Sequence, residues 1–229
     1  MTLRFSNSNR YLPDVWTFNL PSGFSCPAAV ECLTTVDRVT NKMTAGKDRK
    51  YPCYSAMGER YPAVRRAVWE NFYALASCKG DAAKMAELIN SEFPAKAKRF
   101  RIHSGGDFFS QRYFDAWLEV VARRPEVAFW AFTKSVNFWV ERLGLIPENL
   151  NLTASYGGRY DYLIAKHELK HCRVFNTMEE VLASGMPLDD NDALASTGTA
   201  SFALLLNSTK SRMKKKGTFD EGLQRTKGG

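Results

Sequence analysis

Three cysteines, Cys26, Cys32 and Cys53, are set as C-x5-C-x20-C, and further along the chain an apolar strand ends in Ser104-Gly105-Gly106-Asp107. Thiolates are soft ligands that select iron–sulfur clusters or zinc, and three of them leave a coordination position for another group. Gly105 and Gly106 permit close approach to the backbone, and Asp107 can accept from an ammonium group. The hydroxyls of Thr133 and Ser155 and the ammonium of Lys134 add groups able to bind a ribose or a carboxylate. A zinc site is equally open at this level, with His103 or Cys172 completing the three thiols.

These residues need elements to bring them together. Val15 to Leu20 has strand character and is stopped by Pro21-Ser22-Gly23, after which the cysteine loop begins. Apolar residues at helical spacing predict helices over Pro62 to Ser77 and, capped by Asp81, on to Phe93. The chain then alternates. Strands are expected at 100–103, 127–133, 150–154, 172–175 and 202–206, with helices at 111–121, 138–143, 161–170 and 178–183 between them. Apolar strand runs separated by helices predict an α/β fold, a partial (β/α)6 barrel of parallel strands with outer helices and a long cysteine-bearing loop after strand one. In such a sheet the functional groups sit on the loops leaving the C-terminal strand ends. The cysteine loop, Ser104 to Asp107, Thr133-Lys134-Ser135 and Ser155-Tyr156-Gly157-Gly158 all fall there.

The 229 residues, 45% hydrophobic, suit one soluble globular domain over 1–208, with the cysteine loop at 23–58 and a basic flexible tail at 209–229. No run approaches the roughly 18 apolar residues of a membrane span, and the opening residues lack the apolar core of a signal peptide, so no membrane partner and a cytoplasmic location are expected. An odd cysteine count in a reducing compartment favours ligands or core packing over disulfides, and Cys78 and Cys172 read as core. The net charge is +8, and Thr209 to Gly229 holds seven basic against two acidic residues, a tail suited to DNA or RNA. Trp16, Phe108, Phe109, Tyr113, Phe114, Trp117, Phe129 and Trp130 read as packing, and Asp189, Asp190 and Asp192 as an acidic loop capping the last strand.

Ser25-Cys26-Pro27 with Cys32, Cys53-Tyr54-Ser55-Ala56, Arg101-Ile102-His103 with Gly106-Asp107-Phe108-Phe109-Ser110, Tyr113 to Trp117, Phe132-Thr133-Lys134-Ser135 and Ala154 to Gly158 together resemble the phage proteins of the gene product 88 family. More distantly the chain resembles the radical S-adenosylmethionine (SAM) superfamily, whose three cysteines sit in one tight loop rather than the long loop found here. The superfamily resemblance implies a 4Fe-4S cluster on Cys26, Cys32 and Cys53, and SAM held through its amino group by Gly105, Gly106 and Asp107. It further implies Thr133, Lys134 and Ser155 at the SAM carboxylate or ribose, Asp107 and Lys134 as catalytic residues, and an electron donor. The phage resemblance implies a host-cytoplasmic location.

The leading expectation is a cluster-dependent radical enzyme modifying a nucleic acid or nucleotide. The alternative is a zinc-stabilised, non-catalytic nucleic-acid-binding or host-interaction protein. A hydrolytic or base-exchange enzyme using Asp107 near His103 is a third class.

Overall fold

Alternate residues of a strand point to opposite sides of its sheet, so the apolar runs decide which faces must be covered. The computed structural model describes residues 2–7 and 14–226. Within them, β1 (Phe5–Ser6) and β2 (Trp16–Phe18) lead into the cysteine loop, which carries its own hairpin, β3 (Thr34–Val36) and β4 (Met43–Ala45). Next come α1 (Tyr54–Gly58), α2 (Pro62–Ala76), α3 (Ala82–Glu92), β5 (Arg99–Ile102) and α4 (Gln111–Ala122). The alternation continues through β6 (Ala128–Thr133), α5 (Val136–Val140), β7 (Leu150–Ser155), α6 (Asp161–Lys166) and β8 (His171–Phe175). It closes with α7 (Met178–Ser184), α8 (Ala193–Thr197), β9 (Phe202–Leu205), α9 (Asn207–Lys216) and α10 (Phe219–Arg225).

The main sheet has the order β1-β2-β5-β6-β7-β8-β9, with β1 antiparallel and the other six strands parallel. The fold is therefore α/β with a mostly parallel sheet, as expected. Among the described residues it is an open sheet, with β1 and β9 as its two edges, and no barrel closure is seen.

The six parallel strands follow one another in sequence order, and most of the helices between them cover one face. On that face Phe18, Phe100, Ile102, Phe129, Ala131, Leu150 and Leu152 share a core with Leu75 of α2, Ile89 of α3, Trp117 of α4, Val136 of α5 and Ile164 of α6. Phe100 and Phe129 lie side by side in register, with Phe93 stacked on Phe100 at 4.9 Å between ring centres. The opposite face carries Arg101, Trp130 and Asn151 in one row and Phe132 and Thr153 in the next. There Trp130, Cys172 and Phe202 form a second core with Val15 and Ala195, the last from α8. Cys172 and the aromatic set thus serve as packing, and half-buried Cys78 packs against the helix-face core.

The segment expected as a flexible tail is instead two helices through Arg225, with Lys227 to Gly229 outside the described residues. Phe219, 2% exposed, is the reason: it packs with Met178, Val181, Leu188 and Leu205. Lys210 and Lys214 lie over its ring and pair with Asp190. Part of the basic charge is thereby spent holding α9 to the body.

Candidate functional site

Three straps seat the cysteine loop on the C-terminal edge of the sheet. At the first, Asn19 Oδ1 accepts from Ser104 N (2.8 Å) and Gly105 N (2.9 Å), and Leu20 N donates to Gly105 O (2.9 Å). At the second, the N–H groups of Val30 and Glu31 both donate to Gly157 O, and Arg159 N donates to Ala28 O. The third returns Cys53 to Cys26: Ser22 Oγ donates to Ser55 Oγ (2.9 Å), Ser22 N donates to buried Glu59 (2.7 Å), and the Tyr54 hydroxyl donates to Ser104 O. The loop's backbone is thus tied to the strand tips and to itself, while Glu59 Oε2 and Ser104 Oγ stay buried without a partner among the described residues.

The glycines at the tips make this docking possible. A Cβ on Gly105 would stand 2.1 Å from Ser55 Oγ, and one on Gly106 2.6 Å from both Leu20 Cβ and Ser25 Oγ. A Cβ on Gly157 would meet Glu31. The close approach for which Gly105 and Gly106 are required is that of the cysteine loop itself. Gly106 also has φ +84°, a left-handed conformation that disfavours other residues. Gly106→Ala is expected to cost about 1–3 kcal/mol by overpacking and strain, and to raise the reactivity of Cys26 toward a thiol reagent as the loop lifts. Denaturant unfolding and thiol titration check this, and no change in either would contradict it.

The three cysteines, each half-buried, share one electrostatic neighbourhood. The Cys26 thiol is pushed well above its ordinary value by burial first, then by Asp107, and further by Cys53 and Cys32; a bond to the Gly23 backbone opposes this. Burial also raises Cys32, while Lys134 beside it pulls the other way and Cys53 and Asp107 add to the rise. Both shifts favour the protonated, less reactive thiol. Among the described residues, no three His, Cys, Asp or Glu side chains converge to hold a metal ion.

Asp107 is the tie between the β5 and β6 tips. It is 5% exposed; its Oδ1 accepts from Phe108 N (2.7 Å) and Thr133 Oγ1 (2.6 Å), and its Oδ2 from Lys134 N (2.8 Å). Burial pushes its pKa up to about 6 against those three bonds. Thr133 Oγ1 in turn accepts from Ser135 N. Lys134 Nζ donates to Ser155 Oγ (2.9 Å), to Ser155 O (3.2 Å) and to Tyr156 O, and it also bonds the Tyr51 side chain. Burial lifts Tyr51 to about 12. The structure thus gathers Asp107, Thr133, Lys134 and Ser155 beside the thiols, with their polar atoms engaged with one another and with backbone.

The residues proposed to complete a zinc site stand elsewhere. His103 packs against Phe108, Tyr113 and Trp117, its Nε2 is 2.9 Å from Tyr113 Oη, and burial together with Arg101 lowers its pKa to about 3. Cys172 is buried with Trp130, Phe202 and Ala195 of α8, where it neighbours Ser155 and Lys134 and, among the described residues, does not converge with the three loop thiols. His103 and Asp107 direct their hydrogen bonds to other groups, which removes the geometry a hydrolytic pair would need. The acidic loop is consumed internally. Asp189 accepts from the N–H groups of Asn191, Ala193 and Ala195, Asp190 holds α9, and Asp192 pairs with Arg101 (2.8 Å) and Trp130 Nε1 (2.9 Å). Tyr51 carries no sequence signal that links it to the site.

A mostly parallel α/β sheet capped by a cysteine-bearing loop defines the class. The family profile described as "Gene product 88" matches residues 2–225, and the chain belongs to that family. It is similar to the "Gene 88 protein" of Mycobacterium phage L5, 32% identical over 129 residues, covering 52% of this chain and 47% of that protein. It is also similar to the "Gene 88 protein" of Mycobacterium phage D29, 34% identical over 123 residues, with the same two coverages. The chain thus spans about half the length of these relatives. No solved structure matches it. Among the described residues no helix is long and apolar enough to cross a membrane.

Proposed function

We propose that the chain carries a 4Fe-4S cluster on Cys26, Cys32 and Cys53 and works as a radical SAM-like enzyme, with a nucleic acid or nucleotide as substrate. What supports this reading is the docking of the cysteine loop against Gly105, Gly106 and Gly157 at the C-terminal edge of a parallel sheet, beside Asp107 and Lys134. Thiolates on a multi-iron cluster bind different iron atoms and stand wider apart than ligands of one ion. Three thiolates suit a cluster that leaves one iron open to a further ligand. Six sequence-ordered parallel strands are also what a partial barrel requires.

Such a cluster, once bound and reduced, supplies the electron that cleaves the sulfur–carbon bond of SAM. The chain's own residues set the conditions. Lys134 favours loss of the Cys32 proton on ligation, and Asp107 fixes the backbone of Phe108 and Lys134 on either side of the site. In this reading Asp107 with Gly105 and Gly106 receives the amino group, and Thr133, Lys134 and Ser155 receive the carboxylate or ribose. These groups must exchange internal bonds for ligand bonds when SAM enters.

The test is reductive SAM cleavage by anaerobically reconstituted protein with an external electron donor. 5′-Deoxyadenosine is expected to form with the parent chain and to fall at least about a hundredfold in Cys53→Ala, the scale of losing an essential group. Cluster without cleavage would reduce the protein to a cluster carrier. Stoichiometric zinc with no iron would establish the zinc-stabilised alternative.

A further inference from the structure

We infer that the outer face of the cysteine loop and α2 is a binding surface for single-stranded nucleic acid, separate from the basic α9. The inference rests on the fold alone and needs no cluster. Between positions 38 and 66 the chain holds eight basic and two acidic residues, and one of the two acids, Glu59, is buried. Of the eight basic residues only Arg65 is partly buried; it bonds Arg38 O (3.1 Å), Asn41 Oδ1 (3.0 Å) and Glu59 O (2.7 Å), fastening the β3–β4 hairpin to the start of α2. The hairpin and helix therefore present one continuous surface.

That surface carries flat rings as well as charge. Phe24 is 50% exposed, its ring tilted 60° to buried Trp69 at 4.9 Å; Trp69 also neighbours Phe72 at 5.9 Å and Tyr73 at 5.5 Å, the last 38% exposed. The Arg38 guanidinium lies 5.4 Å over the Tyr73 ring. Arg66, Trp69 and Tyr73 share one helix face by their spacing, and Arg66 is exposed. Two exposed rings, Phe24 and Tyr73, backed by buried Trp69 and rimmed by guanidinium groups, offer bases aromatic surface to stack on and phosphates a cation to pair with. Base stacking needs unpaired bases, so a single strand fits this face and a duplex does not. An acidic peptide shares the charge but supplies no row of bases to stack on the exposed rings.

The test is anisotropy titration of a fluorescent oligothymidylate and an oligouridylate with the full chain, at about 50 mM and 200 mM salt. Binding of either strand supports the inference and shows which nucleic acid is preferred. Phe24→Ser and Tyr73→Ser are each expected to weaken it about tenfold, within the range measured for stacking platforms. The doubly substituted R38E/R66E, both groups exposed, is expected to weaken binding and flatten the salt dependence while leaving the circular dichroism and melting curve unchanged. Substituting R212E/K215E/K216E in α9 is expected to leave the effects of the ring substitutions intact. The inference is overturned by no binding, by loss only in the α9 variant, by ring variants that bind like the parent, or by polyglutamate binding as tightly as the oligonucleotides.

Discussion

Asp107→Ala is expected to destabilise the folded chain by about 3 kcal/mol. The substitution leaves buried Phe108 N, Lys134 N and Thr133 Oγ1 without their acceptor, and each such loss costs on the order of 1–3 kcal/mol, offset in part by relief of a buried charge. Asp107→Asn keeps the shape but turns an amide toward the Lys134 N–H, and is expected to fall between the two. The carboxyl also gives a pH signature. Its folded pKa of about 6 lies above the ordinary 3.8, so the folded chain holds the proton more tightly. The stability contributed by that titration is complete below about pH 4 and is lost as pH rises through about 6. Urea unfolding at intervals from pH 4 to 7 should show this decline in the parent chain and its absence in Asp107→Asn. An equal slope in both would remove Asp107 from the account of the site.

Asp192→Ala should have a similarly large effect by a different route. Arg101 and Asp192 are only 14% and 13% exposed in their side chains, so removing the acid strands a guanidinium beside Phe132 and leaves Trp130 Nε1 unpaired. Breaking one partner of a buried pair costs about 3–5 kcal/mol. The double variant with Arg101→Met should recover a large part of that loss, because no charge then remains buried. A double-mutant cycle measures it, and a single variant that melts with the parent would show the pair to be dispensable.

The six parallel strands and the helices on their outer face were legible because long apolar runs at strand or helix spacing admit few foldings. Phe100, Phe129 and Leu150 fell where they had to. The short elements were not legible. β4 is exposed at all three residues, α9 is almost wholly polar, and both are fixed by distant partners rather than by their own pattern. Phe219, the anchor that turns an apparent tail into helices, is one aromatic among charges. At the site, residue types were legible and their partners were not. Gly105 and Gly106 marked a place of close approach, but the approaching body is Ser55 and Ser25 of the cysteine loop. Arg101 and Asp192 meet across 91 positions, a pairing that no local spacing encodes.

The most direct measurement is iron and acid-labile sulfide per chain in protein purified without oxygen, for the parent and for alanine at each of the five cysteines in turn. About four of each in the parent, lost with Cys26, Cys32 or Cys53 and kept with Cys78 or Cys172, is the predicted result. A parent chain free of iron after reconstitution, or one whose iron survives removal of any of the first three thiols, would contradict it.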